Sequence, residues 1–295
     1  MPVSAARLLV LLALSLACWS HPLLAQSAPD VELSKLTLAN FFTDGWDQAW
    51  SKRPNPGGAP DLALLRVQTN FLARDFRLDF FSQQALNSTK TQTINLFDGS
   101  FSYSLNRRFM IQATSYYEWL NSRVANDVEA PSVALGGRLQ LIDVPGTSYA
   151  LNLKFISPTK TLGNDLTTAT YSLAGWEDLT PYGLKKVGLY FDLAGDNYVG
   201  PHVIGAKETD TAYDVSLAKT WTEPASALQN LTTFVEIFGT TDLGGSYSGK
   251  TVVTLTPGFR TSLGHSQILM AGVDLPVSHP RPYNWALRVT YIITF

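Results

Sequence analysis

The chain ends NWALRVTYIITF, residues 284–295. Every second residue, Trp285, Leu287, Val289, Tyr291, Ile293 and Phe295, is apolar or aromatic. Between them stand Asn284, Ala286, Arg288, Thr290, Ile292 and Thr294, of which only Ile292 is neither small nor polar. A period of two is the signature of a strand with one apolar and one polar face. In a soluble sheet this is an ordinary half-buried strand. In a bacterial outer-membrane barrel it is the strand that closes the cylinder. The rest of the sequence separates the two.

The same period recurs upstream. Strands are expected at 62–73, 75–86, 92–105, 108–121, 132–143, 148–157, 167–177, 185–195, 209–220, 230–241, 250–262, 266–276 and 284–295. In 148–157, Leu151, Leu153 and Phe155 oppose Asn152 and Lys154; in 209–220, Tyr213, Val215 and Leu217 oppose Asp214 and Ser216. Charges gather on one face throughout: Arg66, Arg77, Asp79, Glu118, Arg138, Lys154, Asp192, Asp214, Glu236, Arg260, Asp274 and Arg288. These are expected to line the lumen, together with Tyr116 and Tyr190. Six are cationic and six anionic, which argues against strong selectivity for either sign of ion.

A β-sandwich also alternates. Three features favour a membrane barrel. Strands of 10–14 residues exceed the common soluble length and reach that of a tilted membrane strand. Aromatics stand toward strand ends, at Tyr117, Trp119, Tyr149, Trp176, Trp221, Trp285 and Phe295, as interfacial girdles require. Residues 1–25 have the layout of a secretory signal peptide, with Arg7, an apolar run from Leu8 to Ala17 and a cleavage point at Ala25. No later stretch is apolar and long enough for a spanning helix, so a closed barrel is the backbone solution left for a membrane.

Other chemistry is weakly represented. Cys18, the only cysteine, falls within the signal peptide, so the mature chain has no disulfide and no cysteine metal site. The formal charge is −2 without a long basic run, which gives no signal for nucleic acid. His202 and His279 fall in expected outer loops and His265 in a turn, and no His/Asp/Glu group has ligand spacing. No enzyme activity, cofactor or metal is expected. The DGWDQAW stretch places Trp46 and Trp50 either on a sugar-stacking platform or, in the more economical reading, as packing or interfacial anchors.

Connections from residue 106 onward alternate between short (Asn106–Arg107, 143–147, 177–184, 223–228, 264–266) and long (122–131, 158–166, 196–208, 242–249, 277–283). Short turns belong to the periplasmic side and long loops to the outside. Thirteen strands break the even parity that two periplasmic ends require. A first strand at 33–42 restores it, giving fourteen; reading 62–86 as one long strand gives twelve instead. Fourteen is the expectation. Residues 26–60, with the Pro/Gly-rich PNPGGAP, stand apart as a first strand, a plug or a periplasmic segment, and 61–295 as an all-β, antiparallel, up-and-down transmembrane barrel.

Several stretches together carry a family resemblance: NFFTDGWDQAWSKRPNPGGAPD (40–61), AGWEDLTPYGLKKVGLYFDL (174–193), VVTLTPGFRTSLG (252–264), LMAGVDLP (269–276) and RVTYIITF (288–295). The chain resembles the outer-membrane β-barrel porins grouped with meta-pathway phenol-degradation proteins. The resemblance implies a pore for passive passage of small solutes, aromatic or hydrophobic ones among them, in the bacterial outer membrane after signal-peptide-dependent secretion. It also implies that Tyr291, Ile293 and Phe295 are read by the barrel-assembly machinery, and it supplies no catalytic residue. Outer-membrane lipid and a small-molecule solute are the other expected partners. A non-conducting surface-binding barrel and a soluble secreted β protein stay open as alternatives.

Overall fold

The computed structural model describes residues 35–51, 58–85, 93–121, 126–128, 132–157, 167–199, 209–221, 229–244, 248–264, 266–279, 281 and 283–295. Thirteen strands form one antiparallel sheet among these residues. They are β1 (Arg74–Ala85), β2 (Thr93–Ser104), β3 (Phe109–Asn121), β4 (Asn126–Val128), β5 (Ser132–Val144), β6 (Thr147–Ile156), β7 (Thr167–Asp178), β8 (Val187–Val199), β9 (Thr209–Thr220), β10 (Gln229–Asp242), β11 (Thr251–Ser262), β12 (Gln267–Pro276) and β13 (Tyr283–Thr294). β4 is a three-residue strand on β3. The other twelve make the wall, each paired with its neighbours in sequence. β1 pairs with both β2 and β13, so the cylinder is closed.

The polarity of the wall is inverted relative to a soluble core. Leu135, Leu193, Leu217 and Phe155 are 63%, 59%, 53% and 52% exposed, while Glu236, Asp274, Thr256 and Arg260 are at most 1% exposed. Large apolar side chains turned outward and charges turned inward are what lipid outside and a polar interior select. Turn chemistry fixes the short-turn end. Asn106 Oδ1 accepts the N–H groups of Arg108 and Phe109, each at 2.8 Å, between β2 and β3. Pro145 and Gly146 join β5 to β6, and Gly146 takes φ +83°, a region where a side chain is strained.

Twelve strands, not fourteen, span the wall. Residues 35–42 are turn and coil apart from a bridge between Leu36 and Asp143, so no added first strand lies in that described stretch. Nor does 62–86 act as one long strand: 62–73, read above as a strand, has no ladder partner, because both edges of β1 are taken by β2 and β13. That stretch lies inside the barrel.

Candidate functional site

The interior is built from the even-numbered residues of β2, β3 and β5–β13 and the odd-numbered residues of β1, as the registers show: Arg77 pairs with Ser100 and Ile292, Asp79 with Asp98 and Thr290, Met110 with Arg138, Asp192 with Asp214. The chain reaches this interior in two steps.

Residues 35–51 fold at the short-turn end. Arg108, fully buried in the β2–β3 turn, holds them. Its guanidinium donates to the carbonyl oxygens of Thr37 (3.2 Å), Asn40 (3.1 Å) and Asp44 (2.9 Å), to Asn40 Oδ1 (2.9 Å), and to the carbonyls of Gln140 and Leu141 on β5 at 3.1 and 2.9 Å. Trp46 Nε1 donates to the Phe41 carbonyl and stays exposed, while Trp50 Nε1 donates to the Leu72 carbonyl and packs beside Leu72, Ala73 and Met110.

Residues 58–73 then run through the interior as coil. Tyr190 Oη donates to the Pro60 carbonyl at 2.6 Å. Arg260 donates to the carbonyls of Leu62 and Ala63 at 3.0 and 2.8 Å, Arg77 to that of Leu65 at 3.2 Å, and Arg138 to that of Phe71 at 2.7 Å. Glu236 Oε1 accepts the backbone N–H groups of Arg66 and Val67. A coil inside a barrel has no ladder to satisfy its peptide groups, and the wall's side chains supply the partners instead. Leu64, Leu65 and Val67 pack with Trp176, Tyr190, Phe234, Met270 and Ile292. Gly272 makes room for this: a Cβ there would stand 2.6 Å from Leu65 Cδ1 and 2.9 Å from the Pro257 carbonyl.

Trp176 therefore corrects the girdle expectation. It is 4% exposed and faces the internal segment, whereas Trp221 and Trp285 are exposed on the outer side. The side chain of Trp119 lies outside the described residues, as do that of Glu118, His202 and His265.

The remaining charges form two kinds of site. Asp274 is fully partnered: it accepts from Arg288 Nε at 2.7 Å and Thr256 Oγ1 at 2.6 Å, with Arg66 at 3.6 Å. Asp79 likewise takes a bidentate bond from Arg77 at 2.7 and 2.8 Å and one from Thr290. Arg66 itself belongs to the internal segment and lies over the Phe238 ring at 4.0 Å. Burial pushes its guanidinium below the usual arginine value, the Arg288 charge adds to the shift, and Asp274 opposes it. Lys154 donates to Tyr116 Oη at 3.0 Å. By contrast, both carboxylate oxygens of Asp214 lack a hydrogen-bond partner, as do Asp192 Oδ1 and Glu236 Oε2.

The sequence reading missed further inward carboxylates: Asp75, Asp98, Asp196, Asp210 and Asp242 occupy the same face by register. Their parity relative to Asp192, Asp214 and Glu236 was the available signal. The backbone carbonyls that anchor the internal segment leave no mark in a sequence. Among the described residues no His/Cys/Asp/Glu group could hold a metal ion.

An outer-membrane channel from Pseudomonas putida F1 matches with a TM-score of 0.56 and 10% identity, over 83% of this chain and 100% of that one. The two share a closed antiparallel β-barrel fold. The KdgM porin (TM-score 0.49, 10% identity, 75% of this chain and 99% of that one) and the β domain of the Bordetella autotransporter BrkA (TM-score 0.48, 13% identity, 76% and 100%) also match. At these identities the likeness is one of architecture. No family model and no curated protein matches the chain.

Proposed function

We propose that the protein is a bacterial outer-membrane channel for passive passage of small solutes, exported by its signal peptide, inserted by the barrel-assembly machinery, and occluded from the short-turn side by its own residues 58–73. One observation carries this reading: a closed twelve-strand wall with apolar residues outward encloses a charged interior whose side chains bond the segment. Short turns and the C-terminus then face the periplasm. The twelve charges expected from the sequence are, in this proposal, the lining, with Arg66 contributed by the segment rather than the wall. The family resemblance extends the proposal to aromatic and hydrophobic cargo.

The purified full-length protein in planar bilayers tests it. Discrete conductance steps are expected, larger when the segment is loosened by Glu236→Ala. Bilayers that stay silent for both proteins, with insertion verified, would sink the channel reading. They would favour a non-conducting barrel, for which the several wall-to-segment bonds also speak.

A further inference from the structure

From β5 to β12 the outer face of the wall carries a single cation. Of the lysines and arginines in these strands, Arg138, Lys154 and Arg260 face the interior. Lys219 alone faces outward, opposite Val187 on β8 and Thr233 on β10. It is the last residue but one of β9, at the short-turn end. A charge on the lipid side of a membrane wall is costly at the bilayer midplane and tolerated at the rim.

The β7–β8 turn brings a second cation to it. Thr220 N–H donates to the Lys186 carbonyl at 3.0 Å, and Lys219 Nζ donates to the Lys185 carbonyl. Lys186 takes φ +57°, an uncommon conformation for a residue with a side chain, and its N–H donates to Thr180 Oγ1 at 3.2 Å. The turn is thereby pinned to the end of β9, with the Lys185 side chain exposed beside Lys219. Among the described residues neither Lys185 nor Lys219 makes an ion pair. The acids at the end of β7 are engaged elsewhere. Glu177 accepts from Thr147 Oγ1 at 2.8 Å and from Tyr149 Oη, and Asp178 Oδ1 accepts from the N–H and Oγ1 of Thr180 at 2.9 and 2.6 Å.

The surface around these lysines is graded in polarity. Two residues beyond Lys219 on the same face stands Trp221, exposed, with its ring 5.7 Å from Lys219 Nζ and its Nε1 donating to Thr233 Oγ1 at 2.8 Å. In the other direction Leu217, Val215 and Tyr213 are exposed in steps of about 7 Å along β9. Leu193 on β8 and Val235 and Ile237 on β10 widen this apolar column. Two cations and an indole therefore cap a column of outward apolar side chains.

We infer that Lys185, Lys219 and Trp221 form a binding site for the phosphate of an anionic phospholipid, whose acyl chains lie along Leu217, Val215 and their neighbours. Charge selects the head group, because a zwitterionic lipid would bring its own cation up to two lysines. The column selects a lipid over a free anion, which would leave the apolar residues uncovered. The inference rests on the proposed placement of the wall in a bilayer and is independent of whether the lumen conducts.

Native mass spectrometry of the full-length protein tests it, with the protein released from detergent micelles that hold equal amounts of dioleoyl-phosphatidylglycerol and dioleoyl-phosphatidylcholine. Preferential retention of phosphatidylglycerol is expected. Lys185→Gln and Lys219→Gln should each lower that retention about fivefold, and leave phosphatidylcholine unchanged. Lys250→Gln, at the long-loop end, should change neither. Equal retention of the two lipids by the wild type, or unchanged retention in the double variant, overturns the site. An equal loss in Lys250→Gln would reveal a general charge effect and overturns it too, as does displacement of the lipid by excess inorganic phosphate. Should Lys219→Gln fail to fold, Lys185→Gln, in an exposed turn, carries the test. Flotation with phosphatidylglycerol vesicles separates this inference from the reading beneath it. A wild type that inserts but shows no lipid preference loses the site and keeps the membrane placement, whereas one that never inserts loses both.

Discussion

Glu236 accepts the backbone N–H of Arg66 at 3.2 Å, and through the same oxygen that of Val67 at 3.4 Å. A fully buried carboxylate in the middle of a strand thus anchors the middle of a coil some 170 residues away in sequence. The pairing explains an otherwise costly placement. A buried charge is tolerated when donors meet it, and an internal coil needs acceptors for N–H groups that no neighbouring strand can take. The wall and the segment each satisfy what the other leaves open.

Removing that acceptor should free the segment before it harms the wall. Glu236→Ala leaves the buried N–H of Val67 and the part-buried N–H of Arg66 without this acceptor, at about 1–3 kcal/mol for the buried one. β10 keeps its ladders with β9 and β11. The expected result is faster protease cleavage within 58–73 with unchanged heat-modifiable migration of the barrel. Glu236→Gln keeps an amide oxygen as acceptor and should lie between the two. Cleavage at wild-type rate in Glu236→Ala would show that the segment is held elsewhere.

Arg260 should depend on shape as much as on charge. Its Nη1 bonds two successive carbonyls, Leu62 and Ala63, at 3.0 and 2.8 Å. A lysine carries the charge but has one nitrogen, so it cannot meet these carbonyls and also Thr232 Oγ1, which Arg260 Nη2 approaches at 3.4 Å. Arg260→Lys is therefore expected to loosen the segment nearly as much as Arg260→Ala, seen as accelerated hydrogen exchange at 62–65. Full protection in the lysine variant would mean that charge alone suffices.

What the sequence revealed and what it hid follow from the same physics. Alternation located the wall strands and turned Arg77, Arg138, Asp192 and Arg288 to one face, because register links parity to side for a whole strand. It failed at 62–73, where Leu62, Leu64, Arg66 and Gln68 also fall at intervals of two. There the apolar residues meet an interior, not lipid. What distinguishes the stretch is the destination of its peptide groups, which are bonded by Arg260, Arg77, Glu236 and Arg138 from four strands. Nothing in a local pattern encodes that. The odd total of thirteen did show that one assignment was wrong. The real remedy was to make 62–73 an internal coil, an option the strand-based repairs did not contain. The same inward turn moved Trp176 from an expected interfacial girdle to the face that packs on the segment.

Arg108 should be the most sensitive position at the short-turn end. It is fully buried and donates to the carbonyls of Thr37, Asn40, Asp44, Gln140 and Leu141. Truncation strands several carbonyl acceptors at once, and each one left buried and unmet costs about 1–3 kcal/mol. Arg108→Ala is expected to lower the thermal midpoint clearly and to expose residues 35–51 to protease first. Gly45 adds a check, because it has φ +88° and a Cβ there would stand 3.1 Å from Arg108 Cγ. Gly45→Ala should reproduce a milder form of the same defect. A variant pair with wild-type midpoints would show that the N-terminal region contributes little to folding.

Phe295 joins the two ends of the wall. Its N–H donates to the Arg74 carbonyl at 3.0 Å, where β1 begins, and its ring stacks on Phe101 of β2 at 5.9 Å with planes 19° apart. The ring is still 58% exposed, so its packing within the barrel is modest, and its deletion should cost little once the cylinder has closed. A role in recognition during assembly predicts a larger effect. Phe295→Asp, or deletion of Phe295, is expected to reduce the heat-modifiable outer-membrane form several-fold while signal-peptide cleavage proceeds normally. Refolding of the same variants from denaturant into detergent should be nearly unimpaired, which separates recognition from stability. Equal outer-membrane levels of wild type and Phe295→Asp would show that the aromatic end of NWALRVTYIITF only seals the seam between β13 and β1.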